Sequence, residues 1–260
     1  MTLKAILFDV DGTLADTESL GHRPAYNRAF RQMGLGFRWG PKLYRKLLRQ
    51  PGGRERLRHY ILKYQPDLGT HRAAVDADLD QWVAEVHALK SKYFRRFMRR
   101  GQVPLRPGIA RLMREAHDAG VRLAIVTNAS RKTLNPVLKF IMGPALCSVI
   151  EVVASGEEVG HKKPAPDLYR LAMARLGLTA ADCVALEDSE MGLRAARAAG
   201  LPAVVTVNDD TREQDFSGAA LVVSSLGEPG APSCVLRGAG GPLPWVTLDT
   251  LRHLPVPVTA

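Results

Sequence analysis

Ala5-Ile6-Leu7-Phe8 is an unbroken apolar run, and it stops at Asp9-Val10-Asp11-Gly12-Thr13-Leu14. A strand without apolar–polar alternation is buried on both faces, the condition of a parallel sheet covered by helices. Such a sheet binds ligands beyond the carboxyl ends of its strands. Two carboxylates placed there, around a tight turn, form a metal site and a nucleophile site in one. Asp9 fits the part of nucleophile and metal ligand. Asp11 fits the part of acid/base, with its backbone carbonyl also available to the metal. Gly12 lets the chain turn sharply. Alone, an Asp-x-Asp-Gly string is more often a strand end entering an Asx-type turn. The rest of the chain has to decide.

Strand and helix signals alternate through much of that rest. Residues 3–9 are the first predicted strand. Pro107-Gly108 opens a helix carrying Ile109, Leu112, Met113 and Ala116, and Gly120 ends it. Strands are predicted over 121–126, 149–154, 183–186 and 203–207. Helices are predicted over 167–176 and up to Gly200. This alternation predicts an α/β fold, a doubly wound parallel sheet with a Rossmann-like core. From residue 17 to 100 the apolar residues recur at helical intervals, as in Trp82, Val83, Val86, Leu89 and Tyr93. Gly34, Gly40-Pro41 and Pro51-Gly52-Gly53 punctuate them. The expected domains are a core of 1–16 and 101–226 and an inserted α-helical unit of 17–100. A Gly/Pro-rich extension, 227–260, follows and is expected to re-anchor through Trp245 and Leu248.

Three further constellations stand at predicted strand ends or loops. Thr127-Asn128 ends the strand at 121–126. A hydroxyl and exposed amides there can bind a phosphoryl group, although a polar turn or a helix N-cap at Ser130 explains the segment equally well. In His161-Lys162-Lys163-Pro164-Ala165-Pro166 the two prolines rule out a helical backbone. Lys163 can then serve as a fixed positive charge for nucleophile and phosphate, while Lys162 is expected to be merely exposed. Glu187-Asp188 ends another apolar strand. Two acids in sequence beside a second acidic strand end suggest Mg²⁺, which takes oxygen ligands.

Phe8-Asp9-Val10-Asp11-Gly12-Thr13-Leu14 resembles the first motif of the haloacid dehalogenase superfamily of phosphotransferases. The other three pieces arrive in the matching order: Thr127-Asn128, then Lys163, then Glu187-Asp188. The resemblance runs from about residue 3 to 225. It implies a Mg²⁺-dependent phosphatase in which Asp9 attacks phosphorus to give an aspartyl phosphate. Asp11 protonates the leaving oxygen and then deprotonates water. Thr127 and Lys163 complete the catalytic set, Asn128 binds substrate, and Asp9, Asp11, Glu187 and Asp188 hold the metal. A helical cap inserted after the first motif resembles the branch that contains β-phosphoglucomutase, phosphoglycolate phosphatase and the CbbY proteins. Ala15-Asp16-Thr17-Glu18, Gly21-His22-Arg23, Gly52-Gly53-Arg54-Glu55-Arg56, Leu105-Arg106-Pro107-Gly108-Ile109 and Ala185-Leu186-Glu187-Asp188-Ser189 are most like the CbbY proteins, which remove the 1-phosphate of xylulose 1,5-bisphosphate. That likeness implies substrate-facing roles for Glu18, His22, Gly52, Gly53, Arg54, Lys90 and Arg106. Arg54 stands where the CbbY loop usually has Lys, and Arg also binds phosphate. Gly53-Arg54 replaces the Ser-Arg pair of a mutase loop, which favours hydrolysis over a β-phosphoglucomutase-like reaction. A phosphoglycolate-type phosphatase is the other relative in play.

The net charge of +10 is unevenly spread. Residues 17–100 carry 19 Lys and Arg against 7 Asp and Glu, and the remainder is close to neutral. A field of that sign attracts anions. A non-enzymatic nucleic-acid-binding protein is a rival explanation, but no aromatic–basic stacking motif or helix-turn-helix signal supports it. The expected partner is a small phosphorylated sugar, with no nucleic acid and no membrane. A monomer is expected. No apolar run approaches the roughly 18 residues of a membrane span, and no secretory signal precedes the first strand. Cys147, Cys183 and Cys234 are widely spaced and odd in number, which points to reduced thiols in the cytoplasm.

Overall fold

The computed structural model describes residues 2–50, 52–238 and 243–255. The chain forms two compact units, Thr17–Val103 and the combination of Met1–Asp16 with Pro104–Ala260. The second is built on a seven-stranded sheet. Its strands are β1 (Ala5–Phe8), β2 (Arg122–Thr127), β3 (Ile150–Ser155), β4 (Cys183–Glu187), β5 (Ala203–Thr206), β6 (Leu221–Val223) and β7 (Val235–Arg237). Their spatial order is β3-β2-β1-β4-β5-β6-β7. All neighbours are parallel except β6 and β7.

β1 and β4 are buried at every residue, which is why their sequences show no alternation. β1 lies between β2 and β4, with Phe8 level with both Ile125 and Leu186. The strand order reverses there, and a crevice opens beyond the strand ends at such a switch point. The functional residues of β1, β2 and β4 therefore emerge side by side.

Among the described residues of the first unit, a π-helical segment at Thr17–His22 is followed by five α-helices, α1 (Arg23–Gln32), α2 (Pro41–Leu47), α3 (Gly53–Tyr64), α4 (Arg72–Ala77) and α5 (Leu79–Arg99), with a 3-10 turn at Gly69–His71 before α4. Its centre is aromatic. The ring of Trp39 lies 4.5 Å from Tyr26, 5.1 Å from Phe30 and 5.3 Å from Tyr60, centroid to centroid. Offset and edge-on packing at these separations adds roughly 0.5–1.5 kcal/mol per pair beyond area burial. Asp78 caps α5 by accepting from the Gln81 amide at 2.9 Å, which helps start its 21 residues where they start.

The sheet-bearing unit adds α6 (Ile109–Asp118), α7 (Arg131–Val137), α8 (Gly143–Cys147), α9 (Asp167–Leu176), α10 (Glu190–Ala198) and α11 (Leu248–Arg252). The C-terminal extension belongs to this unit rather than standing apart. Arg111 of α6 donates to the carbonyls of Leu226, Gly227 and Val246, and Glu115 accepts from the Leu248 amide. Val246, Leu248 and Leu251 are buried, whereas Trp245 is exposed. The anchor thus lies just after Trp245, because the capped turn at Thr247 points the following leucines inward. Residues 239–242 and 256–260 of the expected extension, and Pro51 of the expected loop, lie outside the described residues. No helix among the described residues is long and apolar enough to cross a membrane.

Candidate active site

Asp9 follows β1 directly, and its amide donates to the Leu186 carbonyl at 2.9 Å. This continues the ladder one residue past the strand and brings Asp9 level with Glu187. Carboxylate oxygens of Asp9, Glu187 and Asp188 lie within 4.8 Å of one another, and all three residues are buried. The Asp11 carboxylate is not one of this group. Lys163 sits among them, 5% exposed. Its ammonium donates to Asp9 Oδ1 at 2.8 Å, Glu187 Oε1 at 2.6 Å and the Val126 carbonyl at 2.8 Å. Its neighbour Lys162 is exposed.

The charge balance is uneven. Burial alone disfavours the Lys163 ammonium, but Asp9 and Glu187 outweigh it and raise its pKa. Burial, with Asp9 beside it, pushes Glu187 up to about 7 despite Lys163. Burial, Asp9 and Glu187 together push Asp188 well above the usual carboxylate range. One ammonium therefore does not neutralise three buried acids. Glu187 Oε2 is buried without a hydrogen-bond partner. A buried oxygen of that kind calls for a cation or water. This donor set of carboxylate oxygens suits Mg²⁺.

Thr127 ends β2, 1% exposed, and its hydroxyl accepts from the Ala129 amide at 3.0 Å. Asn128 spends its side chain on the loop of Lys163. Its Oδ1 accepts from the Lys163 amide at 2.9 Å and its Nδ2 donates to the Lys163 carbonyl at 3.3 Å. The Asn128 side chain thus ties the loop after β2 to the loop that carries Lys163. Arg106, expected to face substrate, is used within the sheet-bearing unit. Its guanidinium donates to the carbonyls of Gly12 (2.5 Å), Thr206 (2.7 Å), Val207 (2.5 Å) and Ser224 (2.9 Å), and to the Thr206 hydroxyl (2.9 Å).

The remaining expected substrate-facing residues belong to the helical unit. Gly52 precedes α3, Gly53 is its first residue, and Arg54 is exposed in its first turn. Tyr26 donates its hydroxyl to the Gly53 carbonyl at 2.7 Å. Arg56, two residues on, is buried instead. It donates to the Tyr44 hydroxyl at 2.8 Å and meets Glu18 at 3.4 Å, while Tyr44 donates to Glu18 at 2.5 Å. Lys90, also buried, donates to His22 Nδ1 at 2.7 Å, and His22 stacks on Phe94.

Burial and Lys90 hold His22 well below its ordinary range, and burial, Lys90 and Arg54 push His87 down to about 4. Unfolded histidines titrate near ~6.5. Between about 4 and 6.5 the unfolded chain therefore binds more protons, so stability is lost as pH falls through that window. Thermal melts from pH 7 to 4 are expected to show a shallower decline for His87→Gln than for the wild type. Parallel curves would mean that His87 takes up its proton as readily in the folded protein as in the unfolded chain.

A family model described as haloacid dehalogenase-like hydrolase matches residues 3–200. The chain belongs to that family. The plasmid CbbY protein of Cupriavidus necator is 43% identical over 250 residues, 96% of each chain. CbbY of Cereibacter sphaeroides is 40% identical over 228 residues, covering 88% of this chain and 94% of that one. A crystal structure of CbbY from Rhodobacter sphaeroides in complex with phosphate superposes with a TM-score of 0.73 at 39% identity, over 86% of this chain and 94% of that chain. A mutant of the same protein has been crystallised with xylulose-(1,5)bisphosphate, with the same TM-score and coverage. This haloacid dehalogenase-like hydrolase is accordingly a phosphatase of the CbbY kind.

Three residues around the acidic cluster, and Arg56 within the helical unit, were not singled out in the sequence. Tyr169 on α9 donates its hydroxyl to Glu187 Oε1 at 2.5 Å. Asn208, just past β5, donates to Asp188 Oδ2 at 2.7 Å. Arg56 is the buried partner of Glu18. Gly192 on α10 matters for what it lacks, since a Cβ there would lie 1.9 Å from Glu187 Oε2. Only Gly192 left a trace in sequence, four residues after Asp188 in a helix that otherwise favours larger residues.

Proposed function

We propose that this hydrolase removes one phosphate from a small sugar bisphosphate of the xylulose 1,5-bisphosphate class, using Mg²⁺ and an aspartyl phosphate on Asp9. The carrying observation is the buried meeting of Asp9 with Lys163, Glu187 and Asp188 at the switch point of the sheet. The bisphosphate bound in the crystal of the Rhodobacter sphaeroides relative supports the substrate class.

The chemistry follows from the residues. An Asp9 oxygen attacks phosphorus in line and the phosphorus–oxygen ester bond breaks. Asp11 gives its proton to the departing sugar oxygen. It then takes a proton from water, which attacks the aspartyl phosphate, releases inorganic phosphate and restores Asp9. Lys163, the Thr127 hydroxyl and the backbone amides after β2 hold the phosphoryl oxygens as charge redistributes. Mg²⁺ would be held by the Asp9, Glu187 and Asp188 carboxylates with the Asp11 carbonyl, and would supply the positive charge that lets an anionic nucleophile approach an anionic ester. The helical unit acts as a cap, with Arg54 and the amides of Gly52-Gly53 taking the phosphate that does not react and with Glu18, His22 and Lys90 contacting the sugar. The protein works as a monomer on a free metabolite in a reducing cytoplasm, consistent with its three unpaired cysteines.

Binding energy from the second phosphate should act on catalysis as well as affinity, because it helps close the cap and expel water. A five-carbon bisphosphate is expected to exceed the matching monophosphate in kcat/KM by at least about tenfold, the effect of one modest charged contact. Arg54→Ala should shrink that ratio and leave a small generic ester nearly unchanged. Steady-state kinetics on the three substrates measure this. Equal efficiency toward mono- and bisphosphates would overturn the bisphosphate reading and leave a general sugar-phosphate phosphatase.

A further inference from the structure

We propose that Asn208 is a positioning residue for Asp188, fixing which of its oxygens faces the metal; this rests on the metal-dependent reading above. The inference starts from the orientation of the Asn208 amide. Its Oδ1 accepts from the backbone amides of Asp210 at 2.9 Å and Thr211 at 3.1 Å. With the oxygen committed to that turn, the NH₂ end must point the other way. It meets Asp188 Oδ2 at 2.7 Å. Its donors also reach toward the Gly12 carbonyl, at 3.5 Å. The amide is thus clamped at one end by its own loop and grips the carboxylate at the other.

Two features of the fold hold the clamp in place. Gly12 provides the slot, with a φ of +90° that favours glycine. A Cβ there would lie 2.1 Å from Asp188 Oδ2 and 2.8 Å from Asn208 Nδ2. The glycine of the first motif therefore serves the second acid pair as well as its own turn. Arg106 provides the frame. It donates to Gly12, to Thr206 and Val207 immediately before Asn208, and to Ser224 after β6. One guanidinium fixes the end of β5 against the turn that follows Asp9. Arg106 is half-buried, with its guanidinium spent on carbonyl oxygens, which fits a positioning residue.

The consequence is chemical. A lone carboxylate rotates about its terminal torsion and presents either oxygen, or both. With Oδ2 occupied by Asn208, the other oxygen of Asp188 is left for an ion shared with Asp9 and Glu187. Hydrogen bonds to a ligand of this kind orient it and tune metal affinity by about 10–100-fold.

The test is Mn²⁺ and Mg²⁺ affinity by calorimetry on full-length protein without substrate, for the wild type, Asn208→Ala and Asn208→Ser. Serine retains an oxygen for the Thr211 amide but is too short to reach Asp188, so it keeps the turn and loses the donor. Both variants are expected to bind Mn²⁺ about 10–100-fold more weakly than the wild type. Wild-type affinity in both would overturn the proposal. Wild-type affinity in Asn208→Ser alone would also overturn it, because the turn rather than the donor would then carry the effect. A wild type that binds neither ion would instead remove the metal-dependent reading, and the proposal with it.

Discussion

Asp9→Asn is expected to keep the fold and lose hydrolysis of every phosphate ester by about 10⁴-fold or more, the scale seen when a covalent nucleophile is removed. Asparagine is nearly isosteric, and its amide oxygen can still accept from the Lys163 ammonium, now at 2.8 Å from Asp9 Oδ1. The backbone bond from residue 9 to the Leu186 carbonyl is untouched. The amide has no charge with which to attack phosphorus, so no aspartyl phosphate forms. Circular dichroism and thermal melts check the fold, and single-turnover assays with labelled substrate check the chemistry. A folded variant with residual activity within tenfold of the wild type would remove Asp9 from the role of nucleophile.

How far such a site can be read from sequence depends on whether a residue's role is local. Asp9 and Glu187-Asp188 were legible because each ends a strand whose burial leaves an uninterrupted apolar run. The helix at 167–176 was legible at both ends, with Pro166 before it and Gly177 after it in the left-handed region. β6 and β7 were not legible, since three residues carry no period. The start of α7 was legible in Ser130, which stands at its N-cap, whereas Pro136 within the helix left its end unmarked. Arg54 and Arg56 show a subtler limit. Two residues apart on a helix, they point about 200° apart, so one is exposed and the other is paired with Glu18. Which of the two arginines stays exposed is settled by the facing helices, not by the string. Arg106 and Asn208 are further examples. Arg106 reaches Gly12, 94 residues away, and Asn208 reaches Asp188, 20 residues away at another strand end, and no local pattern encodes them.

Lys163→Met is expected to affect both stability and rate. The ammonium has three donors, and all three are used, on Asp9, Glu187 and the Val126 carbonyl. Methionine fills much of the space and removes the charge. Two buried carboxylates then lose their partner and a carbonyl loses its donor. Breaking a buried ion pair from one side costs about 3–5 kcal/mol, which urea unfolding at pH 7.5 without metal would register. The cost should depend on pH with a definite sign. Even with Lys163 present, burial and Asp9 hold Glu187 at about 7, so removing the cation raises the folded-state values further. The folded variant then binds more protons than the unfolded chain above about pH 4.5, and its stability falls as pH rises through that window. The gap between wild type and variant should therefore be smaller at pH 5 than at pH 7.5. Added Mg²⁺ should recover part of the stability, because a cation again sits among the acids. It should not recover the rate. Lys163 is the proposed contact to the phosphoryl group as its charge moves, and losing such a contact costs about 10²–10³-fold in kcat. A variant as stable as the wild type at pH 7.5 would mean that the carboxylates are protonated in the metal-free protein, and that the ammonium is not what holds Asp9 ready to attack.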